Sequence, residues 1–243
     1  MQIIEKPDPE IQISFLENAI SVWNWAVFLL HAVRVGWQGF PIFCGCKLGL
    51  KCGRVGKCPR VKWGDRANHL EADQIRGLVE KGYTNFGIHL GWSGLCVIDV
   101  DPRNGGDETI FQFRENIGYL ARLPFVTTGQ GGMHLYFLAS KQIDPIHGFG
   151  PCPEHSFTKI DLGKGVEFLS GQHFVVAPYS IHRTGCRYTP IFGIPFPQFG
   201  EFANGLDELG NVATEIIFQQ EDGEGFGHVF RGDAFESKPW LLS

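Results

Sequence analysis

The stretch Cys96-Val97-Ile98-Asp99-Val100-Asp101-Pro102-Arg103-Asn104-Gly105-Gly106 sets two carboxylates at the end of an apolar run, and the rest of the chain is read around it. Leu95 to Val100 has near-continuous apolar character, the pattern of a central strand covered on both faces. Side chains alternate along a strand, so Asp99 and Asp101 project from the same face. Two like charges so close need a cation, unless the pair is a loop-capping Asp beside a strand-end Asp.

Downstream, Thr127-Thr128-Gly129-Gln130-Gly131-Gly132-Met133-His134-Leu135-Tyr136-Phe137 joins a glycine turn to a strand that begins with a histidine and is otherwise apolar. Glycine removes the Cβ barrier to a close backbone approach at such a turn. Further on, Glu167 stands between Val166 and Phe168, and a buried acid in an apolar strand needs a partner. A metal shared with the aspartates is one such partner; a Glu on the solvated face of an edge strand is the alternative. Asp101 to His134 and His134 to Glu167 are equal spacings, each long enough for a helix or hairpin to return the chain to the same sheet region. Three acids with a histidine suit Mg²⁺ or Mn²⁺, which prefer oxygen ligands and activate a 3′-hydroxyl while stabilising a departing pyrophosphate.

Around these motifs the pattern predicts a helix over residues 11–35, a short strand Phe40 to Phe43, and a helix over 71–81 opened by the acids Glu71 and Asp73. Strands follow at Asn85 to Leu90 and Leu95 to Val100, then a helix over 107–121. Phe125 to Thr128 and His134 to Leu138 read as a hairpin. Gly165 to Leu169 and His173 to Ala177 read as a second pair linked by Ser170 and Gly171. The fold class expected is α+β, with a mostly antiparallel sheet, a small N-terminal helix and strand unit, and a cysteine-rich insertion. One catalytic domain is placed at about 1–200, with a tail or cap at 201–243.

The chain has 243 residues, 43% hydrophobic and 19% charged, enough for a real core. The apolar run Ala19 to Val33 is interrupted by Ser21, Asn24 and His31 and falls short of a bilayer span, so it reads as a buried amphipathic helix. No basic n-region or small-residue cleavage site precedes it, which predicts a cytoplasmic protein with reduced thiols and no membrane partner. A net charge of -5 argues against coating nucleic acid by charge alone. The balance is different between Cys44 and Arg66, where Lys47, Lys51, Arg54, Lys57, Arg60, Lys62 and Arg66 stand against the single acid Asp65.

Four cysteines crowd into the same segment: Cys44, Cys46, Cys52 and Cys58, spaced C-x-C-x5-C-x5-C with glycines at 45, 49, 53 and 56. Four thiolates suit tetrahedral Zn²⁺ in a short loop, the alternative being reduced surface thiols. The expectation is a structural zinc knuckle at about 43–60, whose basic rim guides nucleic-acid phosphates or is simply solvated. Cys96, Cys152 and Cys186 are dispersed and read as packing residues or surface thiols.

Taken in order, Asp99-Val100-Asp101, the turn ending at His134, and Gly165-Val166-Glu167-Phe168 with Val175 to Tyr188 resemble the bifunctional primase/polymerase N-terminal domain of the archaeo-eukaryotic primase superfamily. Ala32 to Phe43, Gly56 to Arg60 and Asn85 to Asp101 fall in the family's order too, so the resemblance spans roughly residues 20–190. It implies a catalytic module related to the RNA-recognition fold, joined to a small N-terminal α/β unit with the active site between them. Asp99 and Asp101 would be the first metal-binding pair and Glu167 the third carboxylate. His134 would contact the triphosphate of an incoming nucleotide, with Gly131 and Gly132 in the nucleotide-binding turn. Ser180, His182 and Arg183 would add phosphate contacts, or form a strand-end turn.

Glu167 replaces the Asp of many relatives, and Ala-Pro-Tyr-Ser replaces Ala-Pro-Pro-Ser. Gly56-Lys57-Cys58-Pro59 carries a cysteine where some bacterial relatives have histidine, an exchange that keeps a zinc ligand. Relatives often continue into a helical priming module and a helicase, so strand extension is a safer expectation than primer initiation, with a helicase as a separate partner. The reading is template-directed nucleotidyl transfer from nucleoside triphosphates on single-stranded or primed DNA, in replication of a phage, plasmid or other mobile element. Two others compete: a non-catalytic nucleic-acid-binding replication module of the same fold, and a metal-dependent phosphoesterase using the same acids.

Overall fold

A computed structural model describes residues 8–35, 42–116, 125–138 and 158–191. In chain order its elements are helix α1 (Pro9–Ser21), strands β1 (Ala26–Leu29), β2 (Val33–Val35) and β3 (Ile42–Cys44), helix α2 (Ala72–Glu80), strand β4 (Phe86–His89), the short helix α3 (Leu90–Ser93), strand β5 (Leu95–Val100) and helix α4 (Gly106–Asn116). Strands β6 (Phe125–Thr127), β7 (Met133–Leu138), β8 (Thr158–Gly163), β9 (Val166–Ser170), β10 (Phe174–Val176) and β11 (Thr189–Ile191) complete them.

The main sheet has six strands in the order β11-β6-β7-β5-β9-β8, and its pairings are antiparallel. Its central strand β5 alternates between two cores. Leu95 and Val97 face the N-terminal unit, where they join Tyr136 and Leu169 in one cluster with Leu16, Trp25, Phe28, Ile75 and Ile88. Ile98 and Val100 face the other way and are buried with Leu135, Phe168 and Ile110 of α4. Asp99 and Asp101 therefore continue the row that faces the N-terminal unit, past the end of its apolar part. That unit is a three-stranded sheet, β1-β4-β10, covered by α1 and α2. Its α2 begins as expected: Glu71 donates its backbone N–H to the Gln74 side chain at 3.0 Å, one half of a capping box.

The helix expected over 11–35 is corrected. It stops at Ser21, Asn24 takes a left-handed φ of 55°, and Ala26–Leu29 is a strand paired to β4. The stretch Trp25 to Leu30 is apolar throughout, with no period to separate a buried strand from a buried helix, and here the β-favouring Val27 and Phe28 go to sheet. The run Ala19 to Val33 is thus not one amphipathic helix.

The second expected hairpin is corrected as well. β9 pairs with β5 and β8, while β10 leaves through Ser170–His173 to pair with β4 in the other sheet. Gly171 accepts from the Gly91 N–H at 2.8 Å at that crossing, and a Cβ on Gly91 would lie 2.8 Å from the same oxygen. The hairpin partner of β9 is instead β8, a short edge strand whose polar/apolar alternation runs only from Lys159 to Leu162. The first hairpin forms as expected, β6 against β7, closed by Thr128 N–H to Gly132 O at 2.7 Å. Residues 40–41, 117–121 and 201–243, to which parts of the expected strand, helix and tail were assigned, lie outside the described residues, as does Cys152.

Candidate active site

Strand register alone lines up the sequence-predicted residues. Asp99 stands opposite His134 of β7 on one side and Glu167 of β9 on the other, and Glu167 stands opposite Asp161 of β8. Residues directly opposite share a face, with Cβ atoms about 5 Å apart. Asp101 lies two residues beyond Asp99, on the same face at the strand end.

Each of these groups has a different partner. His134 is 4% exposed, with Nε2 3.7 Å from Asp99 Oδ1. Burial lowers its pKa, the Asp99 charge raising it and the Lys57 charge lowering it, so the ring is neutral. Its Nδ1 is buried without a hydrogen-bond partner among the described residues. Asp101 is held by Arg103, whose Nε donates to Oδ1 at 2.9 Å and Nη2 to Oδ2 at 2.7 Å. The Arg103 backbone N–H and the Asn104 amide add bonds of 3.1 and 3.0 Å. The Arg103 bonds, ahead of the opposing effect of burial, hold the Asp101 carboxyl below its usual range. Glu167 is paired with Lys159 at 2.5 Å.

A small cleft opens over Asp99 and Asp101. It is lined by Lys57, Val100, Arg103, Thr128, Gln130, His134, His182 and Tyr188 as well. Glu167 is not part of this lining; it stands one strand over. Tyr188 is buried, its ring 5.7 Å from both His134 and His182. His182 is buried with Nδ1 2.9 Å from Thr184 Oγ1, and burial, then the charges of Lys57 and Arg183, push its pKa down to about 4. Arg183 reaches across to Gln130 Oε1 at 3.1 Å.

The glycines of the turn have distinct duties. A Cβ on Gly129 would lie 2.5 Å from His182 Cβ, and one on Gly132 would lie 2.5 Å from Val100 O, so both allow close packing. Gly131 has φ +82° and open space around it. Ser180 points away from the cleft: its hydroxyl is buried and accepts from Phe86 N–H at 3.2 Å, tying the turn to β4.

The family model described as bifunctional DNA primase/polymerase, N-terminal, matches residues 29–199 of this chain. The chain belongs to the Prim-Pol family. Membership implies DNA primase/polymerase-type function, with DNA and nucleotides as partners. No curated protein matches the chain.

In this Prim-Pol chain the four clustered cysteines converge, with all Sγ atoms within 4.8 Å of one another. Cys44 and Cys52 are buried, and Cys52 and Cys58 approach to 3.2 Å. Burial and neighbouring thiols raise the pKa of Cys58; Cys44 is also raised, by burial first. For Cys46 burial acts upward, but bonds from Cys44 and backbone N–H groups outweigh it and bring the thiol to about 7. Such a set ionises in full when a cation joins it, and four sulfurs so placed are compatible with zinc.

Of the basic residues in the segment, Lys47, Lys51, Arg54, Lys57, Arg60 and Lys62 are all exposed. Lys57 alone among these six lines the cleft. Arg60 lies over the Tyr83 ring at 4.9 Å, in a separate groove with His31, Arg34 and Lys81. Sequence reading did not single out Arg103, Thr128, Gln130, Lys159 or Tyr188. Arg103 had a signal, its position two residues after Asp101; Lys159 and Tyr188 become visible once register and packing are known.

Proposed function

We propose that this Prim-Pol chain catalyses template-directed nucleotidyl transfer by a two-metal mechanism, extending DNA strands in the replication of a phage, plasmid or other mobile element. The observation that carries the reading is the cross-strand row His134, Asp99, Glu167 with Asp101 beside it. Asp99, Asp101 and Glu167 offer carboxylate oxygens on one face, a donor set that suits Mg²⁺ or Mn²⁺. Bound there, such ions would favour ionisation of a primer 3′-hydroxyl and offset charge on the departing pyrophosphate.

The remaining chemistry belongs to the chain. His134, kept neutral by burial, offers an N–H to a phosphate oxygen without adding charge. Arg103 supplies a guanidinium fork for phosphate once the Asp101 oxygens are engaged elsewhere. His182 lines the same opening and Arg183 reaches its Gln130; these two, with the turn around Gly131 and Gly132, contribute phosphate contacts. Val100 and Tyr188 wall the cleft against water.

The order β6-β7-β5-β9, with α4 connecting β5 to β6, supports an RRM-like catalytic module within a domain of about residues 1–200. The cysteine cluster supports a structural zinc knuckle, with Lys47, Lys51, Arg54, Arg60 and Lys62 as contacts for template or primer phosphates. No helix of the described residues is long and apolar enough to cross a membrane. Cytoplasmic location and a separate helicase partner complete the proposal.

A second reading, a replication module that binds nucleic acid without catalysis, is favoured by one feature: Arg103 and Lys159 already neutralise two of the three acids. Primer extension on a primed single-stranded template with Mg²⁺ or Mn²⁺ separates the two. Extension by the unsubstituted protein and none by Asp99→Ala/Asp101→Ala is the expected result, and product in an unprimed lane adds priming. DNA binding without product under either metal selects the second reading.

A further inference from the structure

We infer that Lys57 is a ligand for the phosphates of the incoming nucleotide, delivered into the catalytic cleft by the cysteine cluster, and not a template contact on the cluster's rim. The inference rests on the nucleotidyl-transfer reading of the cleft and adds a residue to it.

Lys57 stands between Gly56 and Cys58, and the chain is fixed on both sides of it. Gly56 has φ +77°, and a Cβ there would lie 2.7 Å from Val33 Cγ2 and 2.9 Å from Ile181 O. Asn85, fully buried, donates from Nδ2 to Gly56 O at 3.1 Å and to Ile181 O at 2.7 Å. This one amide therefore binds the end of the cysteine-rich segment to the residue preceding His182. On the other side, Cys58 belongs to the four-sulfur cluster, and its carbonyl accepts from His31 N–H at 2.8 Å.

The consequence is a cation held over the site. Lys57 lines the cleft with Asp99, Asp101, Arg103, His134 and His182, and its charge acts on Asp101, His134 and His182. Among the described residues it makes no ion pair, whereas Arg103 and Lys159 do. A triphosphate concentrates several negative charges beside the metal-binding acids, and an unpaired ammonium there matches that demand better than it matches the single charges spaced along a nucleic-acid backbone.

Equilibrium binding of a nucleoside triphosphate with a non-cleavable α,β-bridge, in Mg²⁺, tests this alongside anisotropy of a labelled primed template. Lys57→Ala should weaken nucleotide affinity by roughly ten- to a hundredfold, Lys57→Arg should restore most of it, and DNA affinity should hold within about twofold for both. Cys46→Ser should cause a comparable loss that does not add to that of Lys57→Ala, the signature of one shared effect. A Lys57→Ala protein with reduced DNA affinity and normal nucleotide affinity overturns the inference, as does one normal in both. Failure of the unsubstituted protein to bind the nucleotide at all overturns the parent reading as well.

Discussion

Asp99, His134 and Glu167 owe their alignment to backbone ladders that run the length of β5, β7 and β9, each set by apolar residues on both faces. Cys44, Cys46, Cys52 and Cys58 instead lie in a segment whose regular structure is the three-residue β3 and a three-residue 3-10 turn, Gly49–Lys51. The first region keeps its geometry whatever stands at the charged positions, because the ladder and the two cores define it. The second brings four thiols together with little regular structure around them, and a cation joining them, as proposed, would replace the core it lacks. The expectation is that charge is dispensable to the fold in one region and constitutive in the other.

The largest expected effect sharpens this contrast from the catalytic side. Asp99→Asn should reduce primer extension on the order of 10²–10³-fold or more, yet leave the melting temperature nearly unchanged, since the charge meets a neutral His134. A marked loss of stability would show that the acid row holds the sheet together, erasing the distinction. Next in size, Cys46→Ser should lower stability by several kcal/mol and release bound zinc, read by thermal melting and metal analysis. Unchanged melting and no metal in the purified protein would break the comparison from the other side.

Much of this was legible in the chain itself. The apolar run before Asp99 and Asp101 identifies a central strand, the glycine turn identifies the β6-β7 hairpin, and equal spacing anticipates that His134 and Glu167 return to it. What escaped reading is instructive. Ala26–Leu29 is apolar on every side, so its pattern carries no period to separate strand from helix. β8 is a short edge strand with only four alternating residues, and its pairing with β9, which brings Lys159 to Glu167, follows from the register of that hairpin. The partners of the acids lay hidden for a related reason: Arg103 pairs within its own turn, and a surface cation close in sequence looks the same whether solvated or bidentate. Lys57 read as one of a run of solvated cations because its placement depends on Asn85 and Ile181, distant in sequence.

The buried histidines give an effect of intermediate size. The pKa of His182 falls from 6.5 to about 4 chiefly through burial, and that of His89 does likewise; His134 is lowered in the same direction. A histidine whose folded pKa is depressed binds its proton more readily in the unfolded chain, so stability is complete above about pH 6.5 and declines as pH falls toward 4. For His182 and His89 the shift is worth on the order of 3 kcal/mol each. Loss of the proposed zinc in acid would produce a decline too, and the two are separated in the Cys46→Ser background. The slope between pH 6.5 and 4 should persist there and shrink when His182→Asn, which keeps a group in place of Nδ1, is added. A slope that vanishes with Cys46 alone would assign the acid sensitivity to the knuckle.

Arg103 supplies the smallest and most discriminating test. Its ion pair with Asp101 is half exposed on the arginine side, with side-chain exposures of 50% and 26%, so its removal should cost less than about 1 kcal/mol in stability. The same guanidinium occupies both Asp101 oxygens, which a divalent ion would need. Arg103→Ala should therefore bind Mn²⁺ a few-fold more tightly in a direct titration while binding triphosphate less well, because the vacated carboxylate favours the metal and the lost fork no longer meets phosphate. Opposite signs for the two ligands fit a residue that alternates between acid and phosphate. Weakened Mn²⁺ binding would instead make the Arg103 clamp a support that orients Asp101, and the acid row would then depend on side-chain partners much as the cysteine segment is proposed to do.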